Sequence, residues 1–188
     1  MSKGHTFFRY AAVAAVLACY VTILIGGNVM ASDSGLACPD WPTCHGTLAP
    51  PLVGGQGIEW AHRISAFVLS VTILVMCVGA IIAERARPVL IRLSAASAAL
   101  VLAQALLGGV VVETDLTVDI VLLHLGLATA LFALLILLAL LANFREIPRR
   151  WLDFARRASE DVPPSVRWAE SGAPEGPSAP EPGPKLPA

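Results

Sequence analysis

The sequence predicts an all-α integral membrane protein: a four-transmembrane-helix bundle built from two repeated hairpins, followed by a disordered C-terminal tail. Three observations carry this. Four runs almost free of charge reach the length of about 20 residues that a helix needs to cross hydrocarbon. Only 14% of the 188 residues are charged while 56% are hydrophobic, and the mean hydropathy is +0.70. Such a chain has too little polar surface for a soluble globule, so lipid is its main solvent, and no nucleic-acid partner is expected. Finally, the two halves of the apolar region repeat each other's motifs.

The expected spans are about 8–29, 60–83, 89–112 and 120–143, the second interrupted only by His62 and Arg63 near its start. The first is longer than a signal-peptide core, and no convincing cleavage signal follows it, so it reads as a retained helix. The expected organisation is a helical domain over 1–146, a segment over 147–162, and a tail over 163–188. In the middle segment Trp151, Leu152, Phe154 and Ala155 stand among arginines, which suits either a short helix at an anionic membrane surface or a frayed helix end. The tail is rich in Pro, Gly, Ala, Ser and Glu and cannot bury enough apolar surface to offset chain entropy.

The net charge of -1 is less informative than where the basic residues fall. Lys3 and Arg9 lie at the first span, Arg85, Arg87 and Arg92 between the second and third, and Arg145, Arg149, Arg150, Arg156 and Arg157 after the fourth. The loop from Met30 to Gly57 has no Lys or Arg, and the third connection carries Glu113, Asp115 and Asp119. A multi-pass protein of the cell membrane is therefore expected, with both termini cytoplasmic and the Cys38/Cys44 loop extracytoplasmic.

The repeat pairs Leu24-Ile25-Gly26-Gly27 with Leu106-Leu107-Gly108-Gly109, each followed by a short apolar stretch and then Ser32-Asp33 or Thr114-Asp115. Such glycines let helices pack closely or leave room for a flat ligand, and close packing is the commoner reason. The second and fourth spans each start outside and carry a histidine about one turn in, His62 and His124. A lone membrane histidine is most often a hydrogen-bonding residue facing its neighbours. Two at matched depth on helices running the same way have the geometry of a bis-histidine heme site. Copper or zinc fits less well, because Glu59 is the only candidate for a third ligand.

Glu59 stands three residues before His62 and shares its helix face. It either solvates a helix start or acts as an acid or base beside a ligand edge. The fourth span has Val121 at the matching place, so only one side of the site has a carboxylate. Cys19 and Cys77 lie within spans and read as small hydrophobes. Cys38 and Cys44 flank Pro39-Asp40-Trp41-Pro42-Thr43, and in an oxidising compartment that gap can close into a disulfide. It would serve either as a loop staple or, if strained or exposed, as a partner for external thiols. His45 fits this loop as well as a metal site.

The run Gly35-Leu36-Ala37-Cys38-Pro39-Asp40-Trp41-Pro42-Thr43-Cys44-His45-Gly46 closely resembles the first outer loop of heme A synthases. Glu59-Trp60-Ala61-His62-Arg63, Gln104-Ala105-Leu106-Leu107-Gly108-Gly109 and His124-Leu125-Gly126-Leu127-Ala128 resemble that family's helix motifs in order and spacing. The resemblance implies an enzyme that oxidises a methyl group of heme O to the formyl group of heme A for cytochrome oxidase assembly. It implies His62 and His124 as axial ligands of a heme iron, with heme O as substrate, heme B as a further bound heme, or both. It also implies Glu59 as the catalytic carboxylate, a Cys38–Cys44 disulfide that takes part in activity, a heme O synthase as supplier and an unidentified electron acceptor. In the implied chemistry the methyl is hydroxylated in steps to a gem-diol that loses water, while Glu59 takes up protons.

The chain departs from the family pattern in two places. Members typically fuse two four-helix units, and this chain carries one, which implies a homo-oligomer or a second half-unit. Where a Val-Arg step followed by Thr-Gly is expected, the chain reads Val29-Met30-Ala31-Ser32-Asp33, without the arginine that could meet a heme propionate. The reading from a different class is a noncatalytic b-type heme-binding subunit for electron transfer or oxidase assembly. Glu59 and the cysteine pair favour the enzyme.

Overall fold

The computed structural model describes residues 3–144; the segment expected at 147–162 and the tail expected at 163–188 lie outside the described residues. Four helices follow in order: α1 (Lys3–Ala31), α2 (Gly54–Ala83), α3 (Pro88–Glu113) and α4 (Val118–Asn143). All four are long and apolar enough to cross a membrane, and within their most apolar stretches only 22–28% of residues are buried in the protein. The remainder presents apolar side chains outward, Leu17, Phe67, Leu106 and Leu122 among them. Such a surface demands an apolar solvent, and the chain is a multi-pass membrane protein.

Helix α1 packs against α2 and α4, and α3 against α2 and α4, which places α2 and α4 on one diagonal of a four-helix square. Each helix overruns its apolar run, and the largest overrun at a single end is that of α2, which begins at Gly54 rather than near Trp60. The apolar criterion marks only the part that suits hydrocarbon, whereas backbone hydrogen bonds carry the helix on into the polar interface. His62 is therefore the ninth residue of α2, more than two turns in rather than one, and His124 is the seventh of α4.

The internal repeat extends to the backbone. Helices α1 and α3 both end in a turn with an aspartate in the left-handed region, Asp33 at φ 51° and Asp115 at φ 50°. Aspartate tolerates that conformation better than most residues. In each turn an amide reaches back five residues, Ser34 N–H to the Val29 carbonyl at 2.9 Å and Leu116 N–H to the Val111 carbonyl at 3.0 Å. These bonds satisfy carbonyls that a helix end would otherwise leave orphaned. Pro88 opens α3, where a missing N–H is tolerated.

The end away from the Cys38/Cys44 loop is closed by polar contacts. His5 Nδ1 lies 2.6 Å from Glu84 Oε1, Arg9 Nε donates to Asn143 Oδ1 at 3.0 Å, and Arg87 Nη2 donates to the Leu141 carbonyl. From there a continuous apolar core runs up the bundle from Phe8, Leu90, Leu138 and Ala142 to its last buried members, Cys19, Leu69, Val101 and Leu131.

Candidate functional site

Above that last layer the bundle changes character. Cys19, Leu69, Val101 and Leu131 each stand seven residues from Gly26, His62, Gly108 and His124 respectively, always on the side away from the loop. The four site positions thus form a layer two helical turns, or about 10 Å, beyond the core. Between the two layers the buried side chains of α1 and α3 are Thr22 and Gln104, equivalent positions in the repeat, and both are polar.

Within the site layer each hairpin sets a glycine against a histidine. A Cβ on Gly26 would lie 2.8 Å from His62 Cε1, and one on Gly108 would lie 3.4 Å from His124 Cε1. The glycines of the repeated motifs make room for imidazoles on the neighbouring helix, and the fit is tighter in the first hairpin. The backbone under His124 is fixed by Gln104, whose Nε2 donates to the His124 carbonyl at 3.0 Å. Both histidines sit on the diagonal helices.

Nδ1 of both histidines is buried without a hydrogen-bond partner, as is Oε1 of Gln104. Buried polar atoms are normally satisfied, so these orphans and the glycine cradles mark a layer shaped for a ligand. No cluster of three or more His, Cys, Asp or Glu that could hold a bare metal ion occurs among the described residues. Two imidazoles alone suit a metal whose other ligands come from a cofactor, and on these observations the residues present fit a heme.

Glu59 does not stand at a hydrated helix start, nor is it free at a ligand edge. It is the sixth residue of α2 and only 4% exposed. Its Oε2 accepts the Cys38 backbone N–H at 2.6 Å, and its Oε1 pairs with the Arg63 guanidinium one turn on. Arg63 also donates to the carbonyls of Cys38 at 2.8 Å, Asp40 at 2.6 Å, and Thr43. Sequence reasoning assigned Arg63 no role, although its place four residues after Glu59 is the spacing of a helical ion pair.

Cys38 and Cys44 are joined in a disulfide with a Cα–Cα separation of 4.6 Å. Both cysteines are fully buried and cluster with Trp60, so the disulfide is not exposed to external thiols. The loop around it is organised by Asp40, which accepts from the Thr43 hydroxyl and from the His45 and Gly46 backbone N–H groups. These bonds, that from Thr43 first, hold the Asp40 carboxyl down at about 2. His45 belongs to this loop, its Nε2 lying 3.0 Å from the Ala37 carbonyl. The ring of Trp41 lies over the end of α3, 3.0 Å from where a Cβ of Gly109 would stand. Met30 is exposed and fills no place in the site.

A multi-pass helical bundle with a polar, histidine-bearing layer under a disulfide-closed loop defines the class. The model of the family described as cytochrome oxidase assembly protein, COX15-CtaA, matches residues 9–54 and 55–168, and the chain belongs to that family. Among curated relatives, a heme A synthase of Geobacillus kaustophilus is 32% identical over 149 residues, covering 79% of this chain and 46% of the relative. Those of Geobacillus thermodenitrificans and Bacillus pumilus are 34% and 37% identical, covering 76% and 63% of this chain and 44% and 40% of the relatives. The chain thus spans somewhat less than half the length of the curated relatives it matches.

Proposed function

We propose that this chain is a heme A synthase-type oxidoreductase that converts a methyl group of heme O to the formyl group of heme A for cytochrome oxidase biogenesis. The observation that carries the reading is the glycine–histidine pair made once in each hairpin at one level of the bundle, in a chain of this family. His62 and His124 would hold the heme iron, and Gly26 and Gly108 make room for their imidazoles. The bound heme supplies the redox centre and the methyl carbon. Water would supply the formyl oxygen; Glu59, the one buried carboxylate near this layer among the described residues, takes up protons as the methyl is oxidised, and the electrons leave to an acceptor of unidentified class.

The distribution of Lys and Arg supports a place in the cell membrane with both termini cytoplasmic and the Cys38–Cys44 loop outside. A heme O synthase in the same membrane is the natural supplier of substrate. A second copy of this chain or a different half-unit is the protein partner proposed for it. The test is to express the chain with a heme O synthase in cells lacking heme A synthase, then separate the extracted hemes. Heme A or its hydroxylated precursor supports the reading, and unmodified heme O in a purified heme-loaded protein overturns it.

One observation favours a second reading, the noncatalytic b-type heme-binding subunit. Both Glu59 oxygens are already engaged, one by Cys38 N–H and one by Arg63, as suits a structural clasp. Under that reading Glu59→Gln leaves the function of the oxidase assembly intact, whereas under the first it stops heme A production while heme stays bound.

A further inference from the structure

The Cys38–Cys44 loop is held not only by its own Asp40 but also by side chains from α2. Arg63 spreads one guanidinium over three loop carbonyls, those of Cys38, Asp40 and Thr43, and also over the Glu59 carboxylate. Glu59 closes the circuit by accepting the Cys38 N–H with its other oxygen. The two residues lie one turn apart on α2, and their side chains are 12% and 5% exposed. Charges buried so deeply persist only when paired and fully hydrogen-bonded, and the loop backbone supplies the remaining partners. A lysine could not replace the arginine, because one compact ammonium cannot reach three carbonyls and a carboxylate from fixed directions. Gln56, one turn before Glu59, adds a contact from Nε2 to Cys44 Sγ at 3.5 Å. The loop, the disulfide and the carboxylate therefore share one set of bonds.

We propose that Arg63 is a positioning residue that locks the Cys38–Cys44 loop and the Glu59 carboxylate into a single unit, so that opening the loop to an external thiol and releasing Glu59 are one event. The part concerning catalysis rests on the function proposed above; the part concerning the disulfide does not.

The test uses the purified full chain with its heme. Variants Arg63→Leu, Arg63→Lys, Glu59→Gln and the double variant Arg63→Leu/Glu59→Gln are treated with dithiothreitol, and new thiols are alkylated and counted by mass spectrometry over time. The heme absorption spectrum shows that each variant has folded. The expected result is reduction about tenfold faster in Arg63→Leu, a similar rise in Glu59→Gln, and no further rise in the double variant, as coupled residues behave. Arg63→Lys falls between parent and Arg63→Leu, and remains informative should the leucine variant fail to fold. In heme conversion, Arg63→Lys lowers kcat while KM holds, which a loss of loop order alone would not produce. Reduction rates within about twofold of the parent, or rises that multiply in the double variant, overturn the proposal. Unchanged kcat in Arg63→Lys overturns its catalytic half. A parent that makes no heme A instead overturns the function proposed above, and the thiol kinetics decide the positioning of Arg63 regardless.

Discussion

Gly26 and His62 are in direct contact across the first hairpin, so closely that a single methyl group on the glycine would stand 2.8 Å from the imidazole Cε1. The equivalent distance in the second hairpin, from Gly108 to His124, is 3.4 Å, an ordinary contact. The repeat places the same two residue types together twice, with different tolerance.

That difference predicts an asymmetric response. Gly26→Ala displaces His62 and lowers heme affinity by about tenfold or more, the scale on which a misplaced ligand acts. Gly108→Ala changes it little, and Gly27→Ala, whose Cβ would meet nothing within 4 Å, is the control. Heme content per protein, read from the reduced-minus-oxidised spectrum, checks the order. Equal losses in the two alanine variants would refute the unequal seating.

Removing either histidine separates the ligand reading from the hydrogen-bonding one. His62→Ala and His124→Ala each abolish the low-spin bis-histidine spectrum, while Gln104→Leu, which removes the hydrogen bond to the His124 carbonyl but no imidazole, retains it. A parental spectrum in either histidine variant would mean that the iron is held elsewhere.

Asp40 gives the loop a defined pH response. Its carboxyl is held at about 2 in the folded loop against an ordinary value of 3.8, the Thr43 hydroxyl contributing most. A depressed value means the ionised form is the one the fold favours. Its contribution is therefore whole above the ordinary value and disappears as pH falls through about 2. The protection of the His45 and Gly46 amides from hydrogen exchange, relative to an unfolded chain at the same pH, holds from neutrality down to about pH 4 and falls only near pH 2, whereas Asp40→Asn lowers it at neutral pH. Protection lost between pH 6 and 5 would show that another group controls the loop.

At the opposite end Glu84 is 3% exposed and lies 2.6 Å from His5, with Arg87 at 3.8 Å from its other oxygen. His5→Ala leaves that buried carboxylate with the distant arginine alone and destabilises the bundle by about 1–3 kcal/mol, discounted for the part-exposed histidine. Thermal unfolding in detergent measures it. Glu84→Gln is less harmful than His5→Ala, because a neutral amide needs no counter-charge; the reverse order would remove the pair from the account of stability.

Much of this protein was legible in its sequence. Runs such as that from Ile120 to Asn143 have one stable fate in lipid, since a helix alone satisfies its own backbone there, so the number and type of elements followed from composition. The duplicated Leu-Ile/Leu-Gly-Gly and Ser/Thr-Asp steps announced two equivalent hairpins, and their aspartates do adopt the same left-handed turn. His62 and His124 stood out because ionisable groups are rare at such depth. What the sequence could not supply was contact across helices. Apolar periodicity is blurred where lipid and core are equally greasy, so which helices neighbour one another emerged only on folding, and with it the seating of His62 on Gly26. The same holds for the loop: Arg63 lies 20–25 residues from the carbonyls it binds, and no local pattern ties them. Tertiary structure decided that Glu59 is clasped rather than free and that the disulfide is covered, because burying two charges obliges them to collect every polar partner the fold brings within reach.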